Sequence, residues 1–395
     1  MKKWKTCTLA DLGEIVGGAT PSTKDESNYG GTIPWITPKD LSQLSGRYIF
    51  RGERCITDKG LRSCSTQLLP ANSILFSSRA PIGYVAISGQ PVCTNQGFKS
   101  IVPNEQTDAM FLYYLLCYKR AAIESLGSGT TFKEVSGSTM RGVSVRVPED
   151  ISVQRAIANI LNSLDSKIEC NSKINDNLEQ QAASYFYRLF IENASSEWRE
   201  GTISDLGTVV GGSTPSKAKP EYYTGHGIAW ITPKDLSLNK SKFISHGEND
   251  ITELGLKNSS AIIMPEGTVL FSSRAPIGYI AIAAGSVCTN QGFKSVVPAS
   301  NIGTAFVYYF LKYNLPAIEG MASGSTFKEI SGSTMKSVPA IIPDDASLAQ
   351  FNNFCRPIFD QQRTLEAQNQ SLSSLRDTLL PKLMSGEIDV SEIRI

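Results

Sequence analysis

Leu75-Phe-Ser-Ser-Arg-Ala-Pro-Ile-Gly-Tyr84 returns unchanged at Leu270 to Tyr279, a displacement of 195 residues in a chain of 395. Flanking motifs keep the same distance. Trp35-Ile-Thr-Pro-Lys-Asp-Leu-Ser42 recurs at Trp230 to Ser237, and Cys93-Thr-Asn-Gln-Gly-Phe-Lys-Ser100 at Cys288 to Ser295. Thr131-Phe-Lys-Glu134 with Ser136-Gly-Ser-Thr-Met140 recurs at Thr326 to Met335. Nearer the start, Trp4, Asp11-Leu12-Gly13, Gly17-Gly18 and Thr20-Pro21-Ser22 reappear 194 residues later, from Trp198 to Ser216. Matches in one order at one spacing identify a duplication, so the fold is one unit written twice.

Within each copy about 145 residues are rich in Gly, Pro, Ser and Thr, with short apolar runs. Ser73 to Phe76, Gly83 to Ile87 and Lys99 to Val102 read as strands bounded by turns. Phe111 to Ser125 is long and apolar enough for a helix, as is Ala305 to Ile318, which Pro316 should end or kink. After Val147-Pro148 and Ile342-Pro343 the texture becomes helical. In 152–190 the apolar residues Ile157, Leu161, Leu164, Ile168, Leu178, Ala182, Tyr185 and Leu189 fall on a heptad seam broken by Asn171 and Asn175. In 347–383 the seam runs Phe351, Phe354, Ile358, Leu365, Leu372, Leu375 and Leu379. Its polar middle holds Gln361, Gln362, Gln368 and Asn369, and Pro357 should kink its first turns.

The expected architecture is α/β. Two similar mixed α/β domains, 1–147 and 196–342, alternate with two long helices, 148–195 and 343–395. Each helix has one narrow apolar stripe. An antiparallel coiled coil covers both stripes and keeps the amides level, relating the copies by a pseudo-twofold axis. The alternative is that each helix packs on its own preceding domain. At about 1.5 Å per residue, such helices would be spacers roughly 50–60 Å long.

Composition narrows the function. Apolar residues make up 41% and charged residues 19%, as in a soluble globular protein, and the polar start Met1 to Leu9 lacks the core of a secretion signal, so a cytoplasmic setting is expected. The eight cysteines form no Cys-x-x-Cys pair and the two histidines, His226 and His246, sit only in the second copy. That spacing supports neither zinc nor disulfides, and a His-based triad common to both copies is excluded. P-loop, dinucleotide, kinase and nucleophile-elbow signatures are missing; Gly127 to Lys133 has the wrong spacing for a P-loop and reads as a Gly-rich turn. No catalytic residue and no metal site is assigned.

Net charge is only +1, but it is unevenly spread: residues 1–147 carry 17 Lys+Arg against 11 Asp+Glu, and 196–342 carry 12 against 11, while 148–195 and 343–395 are each at −3. A local basic face suits nucleic acid whatever the total. The repeated polar turn residues are the DNA-contact candidates: Arg79, Asn95, Gln96, Lys99 and Lys133, with Arg274, Asn290, Gln291, Lys294 and Lys328. Equally, these stretches recur because they build the fold, and Asn or Gln can cap a turn as readily as read adenine. Lys39 and Lys234 are weaker candidates, since Asp40 and Asp235 offer each a local partner.

Domain, long helix, domain, long helix resembles the specificity subunit (HsdS) of type I restriction-modification systems. The openings at Trp4 and Trp198 and the tail Leu375-Arg-Asp-Thr-Leu-Leu-Pro-Lys-Leu-Met-Ser-Gly-Glu-Ile388 carry the resemblance, which spans the chain. It implies that each domain is a target-recognition domain reading one half of a bipartite site in double-stranded DNA. It implies helices that set the spacing and dock two methyltransferase (HsdM) subunits, with restriction (HsdR) subunits joining. S-adenosylmethionine, ATP and Mg would serve those partners, with no cofactor bound by this chain. Two similar domains on an antiparallel pair would read similar half-sites in inverted orientation. A DNA binder with no enzyme partner and a carboxylate-based nuclease are the competing classes.

Overall fold

A computed structural model describes residues 3–79, 81–129, 133–324 and 328–390. Ala80 and residues 130–132 and 325–327, within the quoted turns, lie outside them. The chain divides into two compact units, Met1–Glu169 with Gln370–Ile395, and Cys170–Asn369. Each contains one α/β head and a stretch of both long helices.

In the first unit a five-stranded sheet runs in the order Gly13–Gly17, Lys99–Pro103, Ile74–Phe76, Val85–Ser88, Tyr48–Ile49, antiparallel except for the last pair. Alternation sorts its side chains. Ile74, Phe76, Ile87 and Ile101 face the helix Ala109–Ser125, whereas Leu75 and Ala86 join Val16, Ile36, Val92 and Phe98 on the other side. Ile36 comes from a small sheet, Arg54–Ile56, Tyr29–Ile36 and Cys93–Thr94, whose Trp35, Ile56 and Cys93 form a cluster of their own. The second unit repeats the five-stranded order with Gly207–Gly211, Lys294–Pro298, Val269–Ser273, Ile277–Ala283 and Phe243–Ile244.

The apolar run after Gly303 forms two helices, Thr304–Tyr313 and Leu315–Gly320, parted at Asn314. Pro316 sits in the first turn of the second, where its missing N–H costs nothing. Pro357 does not interrupt the helix Asp345–Ser385. It removes the partner of the Asn353 carbonyl, and both residues lie on the exposed side, where water can take that carbonyl.

The long helices, Ile151–Tyr187 and Asp345–Ser385, pack antiparallel within each unit. In the second unit Asn171 Nδ2 donates to Asn369 Oδ1 at 2.9 Å and Gln368 Oε1 at 3.3 Å. Gln362 Nε2 donates to the Asn175 carbonyl at 3.2 Å, and Tyr185 meets Phe351 and Phe354. In the first unit Asp165 pairs with Arg376 at 2.7 Å. The polar midsections thus bond amide to amide, although the buried Oδ1 atoms of Asn171 and Asn175 find no partner among the described residues.

The two packing arrangements expected for the helices turn out to coexist. Val153, Ile157, Ala158 and Leu161 enter the core of the first head, and Leu348, Phe351, Cys355 and Ile358 that of the second. Phe351 is enclosed by the rings of Tyr185, Phe186, Phe190 and Tyr309; emptying such a site costs about 3–5 kcal/mol. Of the seam residues, Leu161, Asn171, Ile358 and Leu365 are buried and Leu164, Ile168, Asn175, Leu178, Leu372 and Leu379 half-buried. Leu375 is a correction: it is 48% exposed. Over that turn the covered stripe steps from Leu372 to Arg376 and Leu379, because a helix of 3.6 residues per turn drifts off a strict heptad.

Candidate nucleic-acid interface

The repeated motifs converge because their backbones bond to one another. Ser78 N donates to the Gly97 carbonyl at 2.7 Å, Val135 N to the Ser78 carbonyl at 2.8 Å, and Ser128 and Glu134 exchange both backbone bonds at 3.0 and 2.9 Å. Three segments, at Ser78, at Gly97 and at Ser128 with Glu134 and Val135, are thereby tied at one place. Beside them, Trp35 Nε1 donates to the Ala19 carbonyl at 3.1 Å, and Ala19 N to the Thr94 carbonyl at 3.0 Å. Gly18 is required there: a Cβ would stand 2.1 Å from the Asn95 carbonyl oxygen. The second head repeats the set with Ser273, Gly292, Ile330, Ser323, Glu329 and Trp230.

On this frame Arg79 and Lys99 meet over one carboxylate. Arg79 Nε and Nη2 reach Glu134 Oε2 at 3.1 and 2.6 Å, and Lys99 Nζ lies 3.4 Å from Oε1. The Arg79 hydrogen bond, against partial burial, holds Glu134 below the usual carboxylate range. In the second head Arg274 and Lys294 each lie 3.5 Å from Glu329. Lys133 and Lys328, next in sequence to these acids, are exposed. Two cations from separate segments therefore share one carboxylate in each head.

The amides divide. Asn95 Oδ1 accepts from Gly97 N at 2.9 Å and Asn290 Oδ1 from Gly292 N at 2.8 Å, so both cap their turns. Gln96 and Gln291 are exposed, and their Oε1 atoms accept from the Thr20 and Thr214 hydroxyls, leaving the amide NH2 outward. Lys39 and Lys234 are paired, but not with the adjacent aspartates. Their partners are Glu53 at 2.8 Å and Glu248 at 2.5 Å. Asp40 and Asp235 instead turn back to the Thr37 and Thr232 backbone N–H groups, each at 2.7 Å, as helix capping at that position demands.

Two sets of functional side chains escaped the sequence reading. Glu134 and Glu329 stand in the repeated Thr-Phe-Lys-Glu, but an acid by itself carries no signal for a surface that meets phosphates. Arg47 and Lys242, buried between each head and its helices, differ between copies and so left no identical repeat. Among the described residues no group of His, Cys, Asp and Glu is placed to hold a metal ion.

A family model described as the type I restriction modification DNA specificity domain matches this chain twice, over residues 1–180 and 195–363. The type I restriction enzyme MjaIX specificity subunit of Methanocaldococcus jannaschii is 32% identical, over 99% of this chain and 95% of its own. The HindI specificity subunit of Haemophilus influenzae is 23% identical over 65% of this chain and 72% of its own. The fold is shared with the crystal structure of a type I restriction-modification S subunit from M. genitalium, at a TM-score of 0.63 and 18% identity, covering 97% of this chain and 96% of the other.

Proposed function

Since this chain belongs to the type I restriction-modification DNA specificity family, and is a recognition subunit rather than a catalytic one, we propose that its two heads each read one half of a bipartite site in double-stranded DNA. The observation carrying this is the repeated cluster: in both heads an Arg and a Lys from separate segments share one carboxylate, with an exposed Gln three residues before the Lys. Arg and Lys suit phosphates and guanine edges, and an outward amide suits adenine. The helices would fix the distance between half-sites and dock two methyltransferase subunits, which restriction subunits join. Adenine methylation from S-adenosylmethionine and ATP-driven cleavage with Mg would then be the partners' chemistry, this chain binding none of those cofactors. No helix among the described residues is long and apolar enough to cross a membrane, and the proposed setting is the cytosol, where the DNA is.

Heads built alike on an antiparallel helix pair would read similar half-sites in inverted orientation around a nonspecific spacer. Single-molecule methylation mapping of cells with and without this gene tests both statements. The expected result is a gene-dependent, near-palindromic bipartite motif. Two unrelated half-sequences would defeat the symmetry, and the loss of any gene-dependent motif would defeat the assignment.

A further inference from the structure

We propose that Glu134 is a positioning residue for base reading, holding Arg79 so that the first head selects a guanine in its half-site. This rests on the function proposed above and deepens it. In the first head Glu134 Oε2 takes Nε and Nη2, the side edge of the guanidinium. The end edge, where Nη1 and Nη2 point away from Nε, is left over, and the side chain is 45% exposed. A guanidinium presents a rigid planar fork, and that fork fits O6 and N7 of guanine bidentately.

Electrostatics argues for reading over phosphate gathering. Arg79 and Lys99 alone would carry +2; the shared carboxylate brings the cluster to +1. An acid between two cations works against attraction of a polyanion, where extra positive charge raises affinity for any sequence. What the acid contributes is orientation. Its own place is set by backbone, since Glu134 exchanges bonds with Ser128 and the next residue donates to Ser78, directly before Arg79. Glu329 keeps the same backbone ties, to Ser323 and through Ile330 to Ser273, but its carboxylate meets Arg274 at Nη1, at 3.5 Å, and so does not grip the side edge. Lys99, whose side chain is only 16% exposed, steadies the second carboxylate oxygen.

The test uses the complete system in cells, with methylation mapped at sites matching the motif and at sites carrying each single-base departure from it. Glu134→Gln removes the charge that fixes the fork, and Arg79→Lys keeps a cation but loses the fork. Both are expected to raise methylation roughly tenfold at sites altered at one and the same G·C pair of one half-site, the scale of one bidentate contact. Glu329→Gln, which leaves the Arg79 fork untouched, should leave the reading of that base pair unchanged. A wild-type motif with no guanine in either half-site overturns the proposal. So does an even fall across all sites, which marks a structural role, and so does relaxation at different bases in Glu134→Gln and Arg79→Lys. Should wild-type cells show no gene-dependent motif, the underlying DNA-reading assignment itself fails and this proposal goes with it.

Discussion

Beneath the first head a guanidinium enters the helix pair; beneath the second, 195 residues on, an ammonium stands in its place. Arg47 has all its donors engaged: Glu169 at 2.9 and 3.1 Å, Asn162 at 2.5 Å, Ser166 at 3.0 Å and the Tyr114 hydroxyl at 3.2 Å. Lys242 has three donors and spends them on Gln362 at 2.7 Å, the Tyr309 hydroxyl at 3.2 Å and a close contact with Glu179, with the Phe359 ring 4.3 Å away. The helix carboxylate at the matching place, Glu366, accepts the backbone N–H groups of Lys242 and Phe243 at 2.8 and 3.0 Å. Duplicated heads thus keep a buried cation where they meet the helices, but its counter-charge has moved. Under the first head Arg47 pairs with Glu169 on the helix Ile151–Tyr187, while Asp165 of that helix pairs with Arg376. Under the second, one carboxylate, Glu179, serves both Lys242 and Lys312. A buried ion pair is replaceable as a set and costly to break singly, so each set would have to change together.

The strongest way to break the comparison is Arg47→Met, which leaves Glu169, Asn162 and Ser166 facing an apolar chain. The first unit should lose about 3–5 kcal/mol. Hydrogen exchange of the full chain reads this as faster exchange across Ala109–Ser125, with Thr304–Tyr313 unaffected. Arg47→Lys should recover only part of the loss, because three donors cannot replace five at fixed positions. Full recovery would mean that the two nodes are interchangeable after all.

Acid distinguishes the nodes next. Burial pushes Glu179 upward, but Lys242 and then Lys312 outweigh it and hold the carboxyl at about 2, against an ordinary 4.5. Burial likewise pulls Lys242 down while Glu179 pulls it back. The carboxylate's direction is the deciding one, since two ammoniums and a tyrosine hydroxyl converge on it. A depressed acid contributes stability that is whole above its unfolded value and is lost as pH falls through its folded value. The second unit should therefore lose about 3 kcal/mol between pH 4.5 and 2. In Glu179→Gln that loss should vanish from the exchange of Thr304–Tyr313 measured across the same range, at the expense of lower stability at neutral pH.

Much of this molecule could be read without coordinates, because a duplication exposes whatever both copies needed unchanged. Strands at Ile74–Phe76 and Lys99–Pro103 followed from short apolar runs bounded by turns, the paired helices from their stripes, and the amide contacts of Asn171 from the level polar midsections. The same logic concealed Arg47 and Lys242: they sit in Ser-Gly-Arg-Tyr and Ser-Lys-Phe, where the copies diverge, and nothing local marks either cation as buried. It also misled at Asp40, where adjacency to Lys39 suggested a pair and the geometry of capping forbade one. Leu375 failed for a third reason, since its exposure depends on how far the helix has drifted from the seam. Identity between repeats marks the frame; how heads are seated on helices is written in the differences.

The smallest expected effect concerns what the nodes still share. Tyr114 and Tyr309 are matching residues, and each hydroxyl accepts from the buried cation while donating to a helix carboxylate, Asp165 at 2.7 Å or Glu179 at 2.9 Å. Burial first, then the neighbouring carboxylate, pushes both hydroxyls well above the ordinary tyrosine value, so each keeps its proton to donate. Tyr114→Phe and Tyr309→Phe should each cost about 1–2 kcal/mol, the loss of one buried hydrogen-bonding group beside charges. Equal losses, read from hydrogen exchange of the two head helices, would mark the tyrosine relay as the fixed part of the node around which the charges were redistributed. A Tyr309→Phe loss several times larger would point instead to Lys242, which with only three donors has less to fall back on than the guanidinium.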